Sequence, residues 1–241
     1  MSYVAHPIPV QDAREFIKAY HYSGKSVNNS KINLGLFKDG SLVGVLQYGP
    51  PMNGKKTAAK LSDEVNMMEL NRMAMHPDEP RNSESQAIAA CNKWLRKNTD
   101  VKWLLSFSDG KQGNVGYIYQ ATNWTYLGYA LSDSFYELDG DIFHSVTVWH
   151  RYKEKHPLRD THTTHEILGT CFKNVSRITS KQHVYVLALD KRPKFEFKFP
   201  SKPYPKKDQE IAILRRSWYY RDGVACSDVE VYDESPMEPI L

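Results

Sequence analysis

The spacing of apolar residues along this chain changes repeatedly between a strand period and a helix period, which predicts an α/β fold. Apolar runs and alternations predict strands over residues 3–9, 32–38, 41–48, 67–75, 101–107, 125–129, 134–138, 142–151 and 183–189. Spacings of three and four predict helices over residues 11–20, 82–97, 113–123 and 163–172. This order, with two strands between the first two helices, predicts a mixed central sheet flanked by helices rather than a doubly wound sheet.

The segments between these elements contain typical turn and loop residues. Asp39-Gly40 separates two strand-like runs and predicts a tight hairpin. Residues 50–66 are rich in Pro, Gly and Lys, and they are predicted to form a loop. Ser83 stands at the start of the second helix and is predicted to cap it.

The segment Leu105–Trp124 has the pattern of a ligand-binding crossover. Its strand pattern ends at Ser108-Asp109-Gly110, and a helical pattern follows. Ligand sites of α/β folds lie where strands end at polar residues. Asp109 is therefore a candidate site residue, and the alternative is that it caps the next helix.

Composition limits the class of protein. The chain has 241 residues, of which 41% are hydrophobic, so it can bury a sizeable core. The sequence shows neither an apolar run of about 18 residues nor a signal peptide, so no membrane partner is expected. The cysteines Cys91, Cys171 and Cys226 lack C-x-x-C spacing, which argues against disulfides and structural zinc and favours a reduced, cytosolic protein.

Charge is concentrated in the last third of the chain. Residues 151–221 hold 17 Lys and Arg against 7 Asp and Glu, whereas residues 222–241 hold 6 acidic and no basic residues. Residues 191–221 are predicted to form a basic arm that contacts nucleic acid, and residues 222–241 a loose acidic tail. The alternative for the arm is a solvated basic surface. The candidate phosphate contacts are Lys191, Arg192, Lys194, Lys198, Lys202, Lys206 and Lys207.

Several motifs along residues 1–190 carry a family resemblance. They are Ala19-Tyr20-His21-Tyr22-Ser23-Gly24, Glu69-Leu70-Asn71-Arg72, Pro80-Arg81-Asn82-Ser83-Glu84-Ser85, Ser106-Phe107-Ser108-Asp109, Gly113-Asn114-Val115-Gly116 and Tyr119-Gln120-Ala121-Thr122-Asn123-Trp124. The order of elements resembles the GNAT acyltransferase fold, and the motifs resemble the phage Mom DNA-modification family. The resemblance implies a GNAT-like catalytic domain over residues 1–190 with a basic C-terminal extension.

The resemblance also implies a function. Mom-like proteins convert adenine in double-stranded DNA to N6-carbamoylmethyl-adenine, which shields phage DNA from restriction in the cytoplasm of the infected bacterial host. The acyl donor is left open between acetyl-CoA and a glycyl donor such as glycyl-tRNA, which makes tRNA a possible partner. Iron is a possible cofactor through His21 and Asp109, although two residues make no metal site.

By the same resemblance, five residues are candidates for catalysis. His21 and Tyr22 follow the first helix at the mouth where GNAT acceptors enter, and His21 is a candidate general base or metal ligand. Arg72 would polarise a carbonyl or hold phosphate. Asp109 would orient His21 or accept a proton from the N6 amine, and Tyr119 would donate a proton. Structural alternatives are a loop histidine, an Arg72 ion pair with Glu69 or Glu84, and core packing of Tyr119.

The donor is expected at the start of the second long helix, because a helix N-terminus attracts phosphate. The candidate residues there and at the facing loop are Arg81, Asn82, Ser83, Ser85 and Asn114. The loop has no glycine, unlike the usual GNAT phosphate loop, so standard coenzyme A binding is in doubt. The alternative is a capped helix with an exposed arginine.

The target adenine must leave the duplex before its N6 can react. Trp124, Tyr126 and Trp149 are candidates to stack on it, and the alternative for most of them is core packing. His162 and His165 have one-turn spacing that suits a metal, or they belong to an exposed helix start. Two other functions remain open: a GNAT acetyltransferase acting on a small amine or protein, and a non-catalytic DNA-binding accessory protein.

Overall fold

The structure, a computed structural model, describes residues 3–51, 55–110, 114–206, 212–221, 224–231 and 240. The strands are β1 Val4–Pro7, β2 Ile32–Lys38, β3 Ser41–Gly49, β4 Met67–Met75, β5 Trp103–Asp109, β6 Thr125–Leu138, β7 Asp141–His144, β8 Val175–Ala188, β9 Ala212–Arg221 and β10 Val224–Val231. The helices are α1 Val10–Tyr20, α2 Lys55–Leu61, α3 Ser83–Asn98, α4 Tyr117–Gln120, α5 Ser145–Val148, a π-helix Trp149–Lys153, and α6 Thr164–Gly169.

The strands form one mixed sheet in the order β1-β2-β3-β4-β5-β8-β6-β7, with β9 on β8 and β10 on β9. This order confirms the predicted α/β class with a mixed central sheet flanked by helices. Strands β4 and β5 are parallel, but they pair only from Met67–Glu69 to Trp103–Leu105. Beyond that point the two strands diverge, and the opening between their carboxyl ends positions the candidate site.

Helices cover both faces of the sheet. On one face, α3 buries Ala87, Ile88, Cys91 and Leu95 in the largest apolar cluster. On the other face, α1 buries Ala13, Phe16 and Ile17 against β3 and β4. Full burial of one such large apolar side chain stabilises the fold by about 1.5–3 kcal/mol, so these helices are firmly anchored.

The predicted hairpin at Asp39-Gly40 is confirmed. Asp39 has φ 51° and Gly40 has φ 83°, the left-handed conformations that a two-residue hairpin turn requires. The turn joins β2 to β3, which pair in antiparallel register from Ile32 opposite Tyr48.

Several predicted boundaries are wrong. Residues 55–61, predicted as loop, form α2, because Ala58 and Leu61 are buried on one side of the helix. Residues 145–151, predicted as the end of a strand, are helical, because His144 Nδ1 accepts the Val146 N–H and caps α5. The strands predicted at 125–129 and 134–138 are one strand, β6, with two register shifts. The strand predicted over residues 183–189 is the second half of β8, which begins at Val175.

The basic arm is attached to the sheet along residues 195–204. Phe195, Phe197 and Phe199 pack on the apolar cluster around Trp103, while the alternate residues Lys194, Glu196 and Lys198 face solvent. Phe197 forms an isolated antiparallel bridge with Ser62. The arm then crosses the edge of β6, where the Lys202 N–H donates to the Tyr126 oxygen at 2.8 Å and the Ile240 N–H donates to the Tyr129 oxygen at 3.0 Å.

The last part of the chain adds two strands. Strand β9 pairs with the first half of β8, and β10 pairs with β9. The prediction of a loose tail is therefore wrong for residues 224–231, which the antiparallel pairing holds in extended form. No helix among the described residues is long and apolar enough to cross a membrane.

Candidate active-site cleft

A cavity of about 550 Å³, called the cleft below, opens where β4 and β5 diverge. Its walls come from the end of α1, the second half of β4, the end of β5 and residues 114–119. The five candidate catalytic residues all line it: His21, Tyr22, Arg72, Asp109 and Tyr119. The structure thus brings together candidates from four segments that are distant in sequence.

His21 is held by the turn that follows α1. Its Nδ1 accepts the main-chain N–H of Ser23 at 3.1 Å and lies 2.8 Å from Ser23 Oγ. Burial, and then the charge of Arg72, lower the pKa of His21 to about 4, so the ring is neutral at pH 7. Because Nδ1 accepts a main-chain N–H, the neutral ring carries its proton on Nε2. His21 is therefore prepared to donate a hydrogen bond, which favours carbonyl polarisation over the general-base hypothesis.

Arg72 ties β4 to the loop after α1. Its Nε donates to the Lys25 oxygen at 3.3 Å, and one terminal nitrogen donates to the Asn71 oxygen at 2.7 Å. These two carbonyl oxygens fix the position of the guanidinium, but they are neutral and do not cancel its positive charge. Burial lowers the pKa of His144, as it does that of His21, and the positive charges of Lys25 and Arg72 lower it further.

Asp109 is the last residue of β5 and is half-buried at the cleft wall. Tyr22 also lines the cleft and is 74% exposed. The pKa of Tyr22 is raised by loss of solvent around the side chain and then by the negative charge of Asp109. The cleft therefore contains a carboxylate and an accessible phenol close enough for the charge of Asp109 to favour the protonated form of Tyr22.

Tyr119 lies at the base of the cleft and is nearly buried. Its hydroxyl accepts a hydrogen bond from Ser106 Oγ at 2.7 Å, and burial raises its pKa to about 12. Tyr119 therefore stays protonated at neutral pH, as a proton donor must. Gly116, at φ 75°, lets α4 approach this point, because a Cβ there would lie 2.5 Å from the Tyr185 ring.

The helix that carries Tyr119 is shorter than predicted. It spans Tyr117–Gln120 rather than residues 113–123, and residues 111–113 lie outside the described residues. Asn123 has φ 59°, the left-handed conformation expected of a residue that ends a helix. The Trp124 N–H donates back to the Tyr119 oxygen at 3.0 Å and closes the turn.

The candidate donor-binding residues form a less complete site. Asn82 rather than Ser83 occupies the N-cap position of α3, with φ 71° and no capping hydrogen bond from its side chain. Ser83 is buried, and Ser85 Oγ donates to the Asn82 oxygen at 2.9 Å. Arg81 is exposed, and Asn114 lines the cleft from the facing loop. Glu84 also lines the cleft, and its negative charge opposes a phosphate at this helix end.

Metal-binding residues are not clustered in the part of the chain that the structure describes. No group of three or more His, Cys, Asp or Glu side chains comes together there to hold an ion. His21 and Asp109 share the cleft wall but do not make a complete iron ligand set. His165 stacks on Trp218 at 4.6 Å between ring centroids, and Thr163 caps α6 with a capping box, as an ordinary helix start does.

The arm cations are not equivalent. Lys191, Arg192, Lys194 and Lys206 are exposed, and Lys202 is half-buried. Lys198 forms an ion pair with Asp63 at 2.6 Å and donates to the Ala59 oxygen, so it is engaged within the protein. Lys207 lies outside the described residues.

Two of the three aromatic residues proposed to stack on a base are core residues. Trp124 is fully buried, and Tyr126 is buried with its hydroxyl 3.0 Å from His183 Nδ1. The stacking hypothesis is therefore wrong for both. Trp149 is 41% exposed and stays a candidate.

Sequence reasoning missed the residues that support the candidates. Ser23, Lys25 and Ser106 hold His21, Arg72 and Tyr119 through the hydrogen bonds described above. Ser23 and Ser106 lie within the motifs quoted for the resemblance, but residue type alone does not show which neighbour each one bonds. Lys25 could not be found in this way, because its main-chain oxygen makes the contact.

Solved structures with similar folds are acetyltransferases. One is a putative GNAT-family acetyltransferase from Desulfovibrio desulfuricans, with 10% identity, TM-score 0.42 and coverage of 78% of this chain and all of that chain. Another is the aminoglycoside acetyltransferase AAC(6')-Ib in complex with coenzyme A, with 8% identity, TM-score 0.42 and coverage of 54% of this chain and 87% of that chain.

Sequence comparison gives a closer relation. Over 140 residues the chain is 44% identical to the methylcarbamoylase mom of Escherichia phage Mu. The match covers 56% of this chain and 57% of the Mu protein, so the chain spans little more than half the length of that relative. The profile of the Mom protein family matches residues 2–206, and the chain therefore belongs to the Mom protein family.

Proposed function

We propose that this protein is a phage DNA-modification enzyme that converts adenine in DNA to N6-carbamoylmethyl-adenine within the infected host cell and so protects the DNA from restriction. The observation that carries the proposal is the convergence of His21, Tyr22, Arg72, Asp109 and Tyr119 on one cleft in a member of the Mom family. The name of the Mu relative, a methylcarbamoylase, supports the same chemistry.

The proposed first step is acyl transfer to the exocyclic amine of adenine. Asp109 accepts a proton from N6 as the amine attacks the donor carbonyl. The Nε2–H of His21 and the guanidinium of Arg72 stabilise the negative charge that develops on the carbonyl oxygen. Tyr119, which burial keeps protonated, donates a proton to the leaving group.

The donor is proposed to carry a glycyl group, as a glycyl-tRNA does. Transfer then gives N6–CO–CH₂–NH₂, and the free amine attacks C6 through a five-membered ring. Cleavage of the old C6–N6 bond leaves C6–NH–CH₂–CO–NH₂, with no net oxidation or reduction. An acetyl donor would need a further carbon–nitrogen bond and an oxidation. Glu84 at the start of α3 also gives little support to a coenzyme A pyrophosphate there.

The product test is mass spectrometry of nucleosides from plasmid DNA co-expressed with the protein. Deoxyadenosine carrying a carbamoylmethyl group is expected with the wild type and is expected to disappear with Asp109→Asn. Acetylation of other amines without modified DNA would support a GNAT acetyltransferase. DNA binding without any modified base would support an accessory protein instead.

The route is tested with ¹⁵N at adenine N6. The rearrangement predicts that the label ends in the carboxamide nitrogen of the product. Label in the ring-linked nitrogen would exclude the rearrangement while leaving the DNA-modifying function intact.

A further inference from the structure

Residues 145–169, called the helical insertion, separate β7 from β8 and have two distinct faces. The inner face packs Val148 and Leu168, both fully buried, against Tyr136, Leu138 and Val175. On the outer face, Val146 is 56% exposed and Trp149 is 41% exposed. These two are three residues apart on a helix, so their side chains are neighbours on one surface.

One cation lies beside this apolar pair, and further basic side chains are exposed elsewhere on the insertion. Lys153 Nζ lies 5.4 Å from the centre of the Trp149 ring, and Arg151 lies 5.6 Å from the Phe143 ring. Arg151 and Lys155 are exposed to solvent. A protruding apolar pair with basic side chains on the same insertion matches a nucleic-acid groove, whose floor is made of bases and whose rims are phosphates.

The insertion is joined directly to the cleft. Lys25 Nζ donates to Thr147 Oγ1 of α5 at 3.2 Å, and the Lys25 main-chain oxygen accepts Arg72 Nε. His144, which caps α5, is influenced by the charges of Lys25, Asp109 and Arg72. The outer face of the insertion therefore stands at the rim of the cleft, next to the loop that carries His21.

We propose that this outer face meets duplex DNA at the target adenine, with Val146 and Trp149 as an apolar wedge that holds the opened base step and with Arg151 and Lys155 on the flanking phosphates. The inference rests on the proposed function, because it assumes that the cleft receives an adenine from a duplex. Proteins that open base steps insert apolar side chains in this way, and unstacking costs a few kcal/mol per step. Loss of the wedge leaves that cost without compensation.

The experiment uses the full-length protein and a duplex in which 2-aminopurine replaces the target adenine. No acyl donor is present, so the experiment reports base opening alone. Wild-type binding is expected to raise 2-aminopurine fluorescence, because the base leaves the stack. Trp149→Ala is expected to lower this rise at least about tenfold, because an unstacking cost of a few kcal/mol changes the equilibrium by a factor of ten or more. Leu158→Ala removes another exposed apolar side chain of the same segment and should behave as wild type.

A second measurement separates the wedge from a damaged fold. With the target opposite an abasic site the base has no pairing partner and costs less to open, so Trp149→Ala should lose less affinity for that duplex than for the paired one. Equal fluorescence rises for Trp149→Ala and Leu158→Ala would overturn the inference. So would equal losses of affinity by Trp149→Ala on both duplexes.

The cations are tested by the double variant Arg151→Ala/Lys155→Ala against Lys93→Ala/Lys97→Ala, which removes two exposed charges from α3. The first is expected to weaken duplex binding about tenfold and the second to have little effect. Loss of tRNA binding with intact duplex binding would overturn the inference and assign the surface to the donor. If wild type opens the base but no modified adenine forms in cells, the proposed chemistry fails and the docking surface stands.

Discussion

The carboxyl end of strand β5 opens into the cleft, whereas the amino end of the same strand is sealed by the arm. At the open end, Asp109 lies among polar side chains that are held by main-chain hydrogen bonds. The Ser23 N–H donates to His21, and Arg72 donates to the Lys25 oxygen. At the sealed end, the Trp103 ring lies 5.4 Å from the Phe197 ring, and Lys198 pairs with Asp63.

The two ends of this strand, which is about 20 Å long, therefore have different roles. The open end holds the candidate catalytic side chains, and the sealed end stabilises the fold. Main-chain contacts at the open end fix polar side chains and leave their functional atoms facing the cavity. Aromatic packing at the sealed end removes apolar surface from water and exposes only charges. Substitutions at the open end should therefore change the reaction, and substitutions at the sealed end should change folding or DNA affinity.

The largest effect is expected from the carboxylate at the open end. Asp109→Asn should lower the yield of modified adenine at least about 100-fold, because a proton acceptor typically contributes that much or more. Thermal unfolding and duplex affinity should stay close to wild type. Asp63→Asn, at the sealed end, is the matched carboxylate control and should retain activity. If the two variants lose activity equally, the distinction between the two ends is wrong.

At the sealed end, Phe197→Ala should destabilise the protein by about 2 kcal/mol, less than for a fully buried phenylalanine because Phe197 is half-buried. Denaturant unfolding measures this value. Glu196→Ala removes the neighbouring exposed side chain and should change stability little. A loss of modification at constant stability in Phe197→Ala would contradict a structural role for the packing.

The exposed cations near the sealed end are expected to act on affinity alone. The triple variant Lys191→Ala/Arg192→Ala/Lys194→Ala should weaken duplex binding about tenfold and reduce the slope of log affinity against log salt by about one for each phosphate that is no longer neutralised. Single-turnover rates at saturating DNA should not change. An unchanged salt slope would remove this part of the arm from the DNA interface.

The smallest effect is a shift in pH dependence at the open end. With a pKa of about 4, His21 should stay neutral through pH 6.5, and the rate should fall only as His21 is protonated below about pH 5. Because the unfolded chain takes up this proton near the usual value of about 6.5, the stability contribution of His21 falls as pH drops from there towards 4. Arg72→Gln removes a positive charge and should raise the pKa, which NMR titration of the His21 ring measures. A wild-type pKa at the usual histidine value would contradict the neutral, donating role of His21.

Much of the fold was accessible from local patterns. The hairpin at Asp39-Gly40, α1, β4 and α3 were predicted because their apolar periods are long and their turns are distinctive. The strand prediction is wrong for residues 145–151 because Ile142, Val146 and Val148 mimic a strand alternation. The deciding interaction, His144 accepting the Val146 N–H, cannot be read from apolar spacing.

The site shows the same limit. The polar strand end indicated Asp109 and the resemblance added Tyr119, and the structure places both on the cleft wall. Core packing was the alternative for the aromatic candidates, but only the pairing of β6 with β8 shows that Trp124 and Tyr126 are the buried ones. The direction of the His21 proton likewise depends on a main-chain N–H and not on residue type.

The arm and Ile240 also occupy hydrogen-bonding groups on β6, at Tyr126 and Tyr129. A protein shortened to residue 190 would present this stretch as an open strand edge beside a bare patch of aromatic and aliphatic side chains. Such edges recruit strands from other chains and cause aggregation. The last fifth of the sequence therefore protects the solubility of the whole protein, and a shortened form is expected to accumulate in inclusion bodies.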